Sequence, residues 1–273
     1  MKKEFHKISL TRFAPTIAKI SGVSAPIDGD KEVVDEVIDL VKKTTGKETV
    51  DKVLIYNPDA IGRYFYEKYK EKIFAPLDNI SDIKVPFLTM MPSKTPVCFG
   101  TMFTGATPEV HGIQKYDKQV ITIDSLFDVW AREGKKVALI SNPNQSIPKI
   151  FANRNIDYYP VKYDTEAVEK ALELIANSDY DIIEVYNQEY DDMLHLTYPN
   201  SYFCRRAARK YVKNYVKLVE CVKEHWKGKS ILTTFSPDHG GHRVLNCLLG
   251  THGQDIPEDR NIYHFFTAIA VKE

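Results

Sequence analysis

Asp59, Thr95, Asp191, His195, Asp238, His239 and His252 are the residues on which chemistry can be built. They lie in four short stretches. KVLIYNPD ends at Asp59, and MPSKTPVCFGTMFTGATPEVHGI contains Thr95. EYDDMLH supplies Asp191 and His195, and SPDHGGHR followed by GTHG supplies Asp238, His239 and His252. Carboxylates, imidazoles and one hydroxyl form the donor set that holds two hard-to-borderline divalent cations around a nucleophile. Singly, each piece has a commonplace reading. An Asp-x-x-x-His spacing puts carboxylate and imidazole on one helical face, yet most often it marks a solvated face, and Asp192 competes in the same turn. Thr95 before Pro96 reads as the N-cap of a helix over 97–103, with its hydroxyl over the helix's positive end, where orphan amides hold a phosphate oxygen. Alone it would be an ordinary cap. Gly240 and Gly241 after the Asp-His pair allow backbone to approach a ligand closely. The joint presence and order of the pieces point to phosphoryl transfer.

The elements that must position these residues follow from periodicity. Short apolar, β-branched runs at 53–56, 137–140, 182–186, 231–235 and 265–271 read as strands, and helical patterns occupy 61–72, 126–133, 166–176 and 202–226. Such alternation predicts an α/β fold, with a mostly parallel central sheet and helices on both faces, in a single domain spanning 1–273. Residues 1–50 read as a helical lead-in. In it Val33, Val34, Val37, Ile38 and Val41 recur at helical spacing, with Asp30 as cap and Gly46 as stop. Ligands of such sheets sit beyond the carboxyl ends of the strands. Asp59 follows the first strand, Asp191 and His195 the third, and Asp238 and His239 the fourth, so three strand exits deliver five donors to one edge.

Composition excludes some partners. The chain has 273 residues, 37 Lys+Arg and 37 Asp+Glu, hence zero net charge, so electrostatics gives no case for a nucleic-acid polymer or an acidic membrane. Cys98, Cys204, Cys221 and Cys247 have neither metal-type nor disulfide-framework spacing, which fits free thiols in a reducing cytoplasm. The first residues carry Arg12 and Pro15 and no unbroken apolar core, so they read as folded chain rather than a secretion signal. No run is long enough to span a bilayer. Oligomerisation stays open.

On these residues the chain resembles the alkaline phosphatase superfamily, and within it the nucleotide pyrophosphatase/phosphodiesterase branch. The block PSKT…TG…PE.HGI resembles the branch's nucleophile block, with Thr95 in the nucleophile's place, and the likeness runs from about Val53 to Phe266. The resemblance implies one metal site made by Asp191, His195 and His252, and a second made by Asp59, Asp238, His239 and the Thr95 oxygen. It also implies attack by Thr95 to give a phosphothreonine that water then releases. The donors suit Zn²⁺ best and Mn²⁺ second. Where the branch usually has an asparagine that holds a phosphate oxygen, this chain has Tyr116; with Lys115 beside it and Lys94 beside Thr95, these are the candidate substrate contacts. The expected substrate is a small phosphate ester or nucleotide. A phosphomonoesterase, phosphonate hydrolase or phosphomutase of the same superfamily is the alternative, and a metal- or nucleotide-binding module is the non-enzymatic one. His6, His225 and His264 read as structural, His111 as a buttress of the nucleophile loop, and His242 and Arg243 as a solvated loop.

Overall fold

The computed structural model describes residues 7–245 and 247–271. In chain order the strands are β1 (Ile8–Ser9), β2 (Lys52–Pro58), β3 (Ile83–Leu88), β4 (Val137–Ser141), β5 (Asp157–Pro160), β6 (Ile182–Asn187) and β7 (Ile231–Phe235). A small hairpin of β8 (His242–Arg243) and β9 (Gly250–Thr251) precedes the last, β10 (Asn261–Ile269). Eight of them form one sheet in the order β1-β3-β10-β7-β2-β6-β4-β5. β10 runs antiparallel to both β3 and β7; every other neighbouring pair in this sheet is parallel.

The central strands are apolar on both faces because helices cover both. Along β2, Val53 and Ile55 point into one core while Leu54 and Tyr56 point into the other. The first core is closed by helices Phe13–Ser21, Asp35–Thr45, Thr95–Thr104 and Leu126–Arg132. The second is closed by Arg63–Tyr69, Asp164–Asn177 and the long Tyr202–His225 helix. The long helix buries Cys204, Ala208, Tyr211, Tyr215, Leu218 and Val222, spaced three or four apart, and Ser201 caps it by accepting from the Cys204 amide at 3.1 Å. Among the described residues no helix is long and apolar enough to cross a membrane.

The structure departs from the sequence reading at several boundaries. The segment before β2 holds two helices and also contributes β1 to the sheet's edge beside β3. Asp30 does not cap the second helix. It accepts from the Thr11 hydroxyl at 2.8 Å and the Glu32 amide at 2.9 Å, and the helix starts at Asp35 behind Val34. Gly46 does end it, in the left-handed conformation at φ 76°. The helix expected over 61–72 starts at Arg63 and passes at Lys70 into a wider π turn before restarting at Ala75. Pro76 lacks the amide that an unbroken α-helix would need there. The last strand begins four residues earlier than expected, because Asn261–His264 pair with β3 despite their polarity. His264 is fully buried in it, whereas His6 lies outside the described residues.

Candidate active site

β2, β6 and β7 lie side by side, so their exits converge on one edge. Asp59 leaves β2, and the next residue, Ala60, turns the chain with φ 63° and gives its amide to Asp238 Oδ1 at 3.2 Å. Asp191 and His195 share one face of the Glu189–Leu196 helix after β6. This helix's first turn is held by the Asp164 carboxylate, which accepts from the Gln188 and Glu189 amides at 3.2 and 2.8 Å. Asp238 and His239 leave β7. Thr95 is one residue deeper in its helix than expected: Lys94 is the N-cap residue, Thr95 the first helical residue and Pro96 the second. The pair is shifted by one because Lys94 keeps extended φ/ψ (−122°, 139°) while Thr95 already has helical geometry.

Two trios of donor atoms result. Asp191, His195 and His252 form one; Asp59, Asp238 and His239 form the other; within each, all ligand atoms lie within 4.8 Å of one another. Five of these six residues are buried, and His195 is exposed. The Thr95 hydroxyl is 3.2 Å from His239 Nε2, which is itself 3.3 Å from Asp238 Oδ2 and 3.5 Å from Asp59 Oδ1. His195 Nε2 and His252 Nε2 are 3.1 Å apart, and Asp191 reaches them at 3.4 and 3.5 Å. The His239 and His252 rings stack at 4.0 Å, which ties the trios together.

The other side of the imidazoles decides what they offer. His252 Nδ1 is 2.7 Å from the Ser93 carbonyl and His239 Nδ1 is 2.8 Å from the Gly240 carbonyl. A carbonyl only accepts, so both Nδ1 atoms carry the proton and both Nε2 atoms present lone pairs. Burial pushes both imidazoles down, His252 to about 3, so they stay neutral. Asp59 Oδ1, Asp191 Oδ1 and Asp238 Oδ2 are buried without hydrogen-bond partners. Burial drives Asp59 well above the carboxylate range and Asp238 to about 7. For Asp191 burial acts the same way, but the hydrogen bond from His195 counters it and the carboxyl is held low. Orphaned carboxylate oxygens and inward imidazole lone pairs within a few ångströms are what divalent cations satisfy, so the residues present fit such ions.

Supporting contacts escape the sequence. Tyr186, the last residue of the strand expected over 182–186, donates its hydroxyl to Asp59 Oδ2, and Thr89 donates to the Asp238 carbonyl at 2.7 Å. Neither carries a local signal, since each looks like a strand or loop residue until the fold closes. His111 is a buttress: its ring fills the space above Gly100, where a Cβ would stand 2.7 Å from it, and its Nε2 pairs with Thr101 at 3.1 Å. Lys94 lies across the loop after β9 and donates to the His252 carbonyl at 2.7 Å. Tyr116 is 61% exposed, and partial burial, then the charges of Asp59 and Asp191, raise its hydroxyl pKa. Lys115 is exposed. The nearby cation that feels Asp59 is Lys118, three residues on. His242 is a paired side chain rather than a free loop residue, with Nδ1 2.7 Å from the buried Asp259 carboxylate. All four cysteines are free thiols.

Solved structures share this arrangement of elements. An inactive threonine-to-alanine variant of murine ectonucleotide pyrophosphatase/phosphodiesterase 5, in complex with AMP, superposes with TM-score 0.63 at 14% identity over 81% of this chain and 88% of that one. The C-terminal periplasmic domain of Escherichia coli EptC, in complex with Zn, gives 0.56 at 14% over 80% and 72%. A 2-O glycosaminoglycan sulfatase, BT1596, gives 0.54 at 12% over 81% and 64%. The fold matches the alkaline phosphatase-like fold of these structures. No family model and no curated protein sequence matches the chain. At these identities the alkaline phosphatase-like scaffold is what is shared, and chemistry has to be argued from the site.

Proposed function

We propose that the chain is a divalent-metal-dependent phosphodiesterase of the nucleotide pyrophosphatase type, a single catalytic domain with Thr95 as nucleophile. The observation that carries the reading is the pair of donor trios beside one buried hydroxyl, with three carboxylate oxygens otherwise unpartnered. Asp191, His195 and His252 would hold one cation, and Asp59, Asp238, His239 and the Thr95 oxygen the other; the mixed nitrogen and carboxylate set favours zinc, then manganese. When bound, two such ions supply positive charge at the attacking and departing oxygens of an in-line displacement.

The protein's own contribution is placement. The Thr95 side chain is 4% exposed at the first position of a buried helix, which His111 and Gly105 fix from behind and at its far end. A nucleophile so held loses little freedom on reaction. In the reaction Thr95 Oγ1 forms a bond to phosphorus as the bond to the leaving oxygen breaks, and water then hydrolyses the phosphothreonine. Tyr186 and Thr89 keep Asp59 and the Asp238 backbone in register for that site. Likeness to a phosphodiesterase bound to AMP supports the assignment of a phosphate ester or nucleotide as substrate.

The test is parallel hydrolysis of bis-p-nitrophenyl phosphate and p-nitrophenyl phosphate by protein stripped and reloaded with Zn²⁺ or Mn²⁺, with Thr95→Ala alongside. The expected result is diester turnover, abolished in Thr95→Ala although that variant still binds metal. Hydrolysis by the variant near the wild-type rate would overturn the nucleophile. Preference for the monoester would move the activity to a phosphatase or mutase, and silence on both with metal bound would make this a binding module.

A further inference from the structure

The donor trios use the exits of β2, β6 and β7. On the far side of β6 the sheet continues with β4 and β5, and their exits, together with the loop through Lys118, enclose a cleft of about 480 Å³. Its wall toward the trios is made by Gln188 and Asp192. Its far wall is made by Asn142, Gln145 and Lys162, from the loops that follow β4 and β5. The β5 exit, which carries Lys162, is two strand spacings from the β6 exit, roughly 10 Å, which is room for a sugar-sized group. The cleft therefore continues the reactive edge on the β4–β5 side.

The lining carries three lysines and three carboxylates, and among the described residues only one of the lysines, Lys210, is taken up in an ion pair. Of the acidic side chains on the lining, Glu189 is paired with Lys210, and Asp164 accepts the two helix amides described above. Asp192 accepts from the Gln188 side chain at 2.9 Å and belongs to the wall beside the trios. Lys118 and Lys162 form no ion pair with a carboxylate among the described residues. Lys118 donates to the Asn144 carbonyl at 2.8 Å, and Lys162 lies over the exposed Tyr163 ring. The Gln145 side chain accepts from the Asn142 amide at 3.1 Å through its oxygen, so its NH₂ remains a donor. Two ammonium groups and an amide donor converging on a polar cleft suit an anion with several acceptor oxygens. An apolar group would strip water from those lysines without replacing it.

We infer that this cleft is a subsite for a second phosphate, carried on the organic substituent of the phosphate ester that reacts at Thr95. The inference rests on the proposed reading for where the reacting phosphorus sits. The cleft's preference for a second anion can be measured without turnover.

The experiment compares binding of thymidine 5′-monophosphate and thymidine 3′,5′-bisphosphate to the full chain loaded with Zn²⁺, by calorimetry, for wild type, Lys118→Met and Lys162→Met. The bisphosphate is expected to bind roughly tenfold tighter, the value of one charge-assisted contact, and each lysine variant to cut that ratio severalfold. Lys162 is exposed, so its replacement leaves the core intact. A ratio near one in wild type, or one that both variants leave unchanged, overturns the subsite. Hydrolysis of bis-p-nitrophenyl phosphate by the same wild-type sample separates the two claims. Turnover with a ratio near one refutes the subsite and leaves the phosphodiesterase. Silence with a lysine-dependent ratio refutes the phosphodiesterase and leaves the subsite.

Discussion

Gly240→Ala should disable the site without touching a donor atom. A Cβ built at position 240 would stand 2.0 Å from the Glu258 carbonyl oxygen and 2.9 Å from the Gly62 Cα. Against the 3.4 Å at which ordinary contact begins, the first shortfall is 1.4 Å, and both obstacles are backbone, which no rotamer change can remove. The loop must move instead. It carries His239, whose Nδ1 is bonded to the Gly240 carbonyl at 2.8 Å, and it is anchored by the Gly240 amide on the Asp259 carbonyl at 2.8 Å. Overpacking of this kind costs about 1–3 kcal/mol, so Tm should fall by roughly 2–12 °C. A displacement on the order of 1 Å in a ligand-bearing loop should lower kcat/KM by about 100-fold. Gly241→Ala is the control: its nearest obstacle is the Leu194 Cδ2 methyl at 2.5 Å, the end of a side chain that can rotate. The assay is metal content by mass spectrometry, Tm by calorimetry and diester turnover, on both variants beside wild type. A Gly240→Ala protein with wild-type metal content, turnover and Tm would show that the close packing of Gly62, Gly240 and Glu258 does not hold the Asp238–His239 loop, and the reasoning would fail.

Other perturbations have defined outcomes. Tyr186→Phe removes the hydroxyl that orients Asp59 while keeping the ring packed on Phe99; metal affinity should drop about 10- to 100-fold, and an unchanged dissociation constant would rule out the orienting role. Chelation should lower Tm, since an ion present at 1,000 times its Kd adds about 4 kcal/mol; no shift on a sample shown to contain metal would count against a buried centre. Glu184 is fully buried on β6 with both carboxylate oxygens unpartnered, and burial raises its pKa well above the ordinary 4.5. A raised carboxyl means the folded state binds the proton more tightly than the unfolded chain does. Stability is therefore greatest below the unfolded pKa and declines as pH climbs toward the folded one, by about 1.4 kcal/mol for each pH unit between the two. Glu184→Gln should flatten that decline as pH rises above 4.5, and parallel Tm curves for variant and wild type would refute it.

What could be read in advance was local. Val53–Tyr56 and Asp59 are close in sequence, as are Ile231–Phe235 and Asp238–His239, and a strand followed by polar donors announces itself in order alone. β3 did not. Its sequence IKVPFL is interrupted by Lys84 and Pro86, yet it pairs with β10 along its length, and β1 covers only Phe87 and Leu88 on the other side. Pro86 therefore sits where the strand has an open flank and the missing amide is tolerated. The lead-in hid for a similar reason. Ile8 and Ser9 form a strand because the β3 edge is available beside them, not because two residues have any propensity of their own.

The site's readiness for cations is the part that no spacing could express. His252 presents its Nε2 lone pair because the Ser93 carbonyl, 159 positions away, accepts a hydrogen bond from its Nδ1–H, and because Lys94 holds the His252 carbonyl from the same loop. Ser93 and Lys94 are the two residues before Thr95. The segment that presents the Thr95 hydroxyl is thus also the segment that sets the tautomer of His252 in the opposite trio, and the stacked His239 ring, 3.2 Å from that hydroxyl, closes the circuit. The Thr95 hydroxyl and the two donor trios are therefore one mechanical unit. A shift of the Ser93–Thr95 turn moves the hydroxyl and changes what His252 offers together, which is why the block around Thr95 and the block around His252 make sense only as a pair.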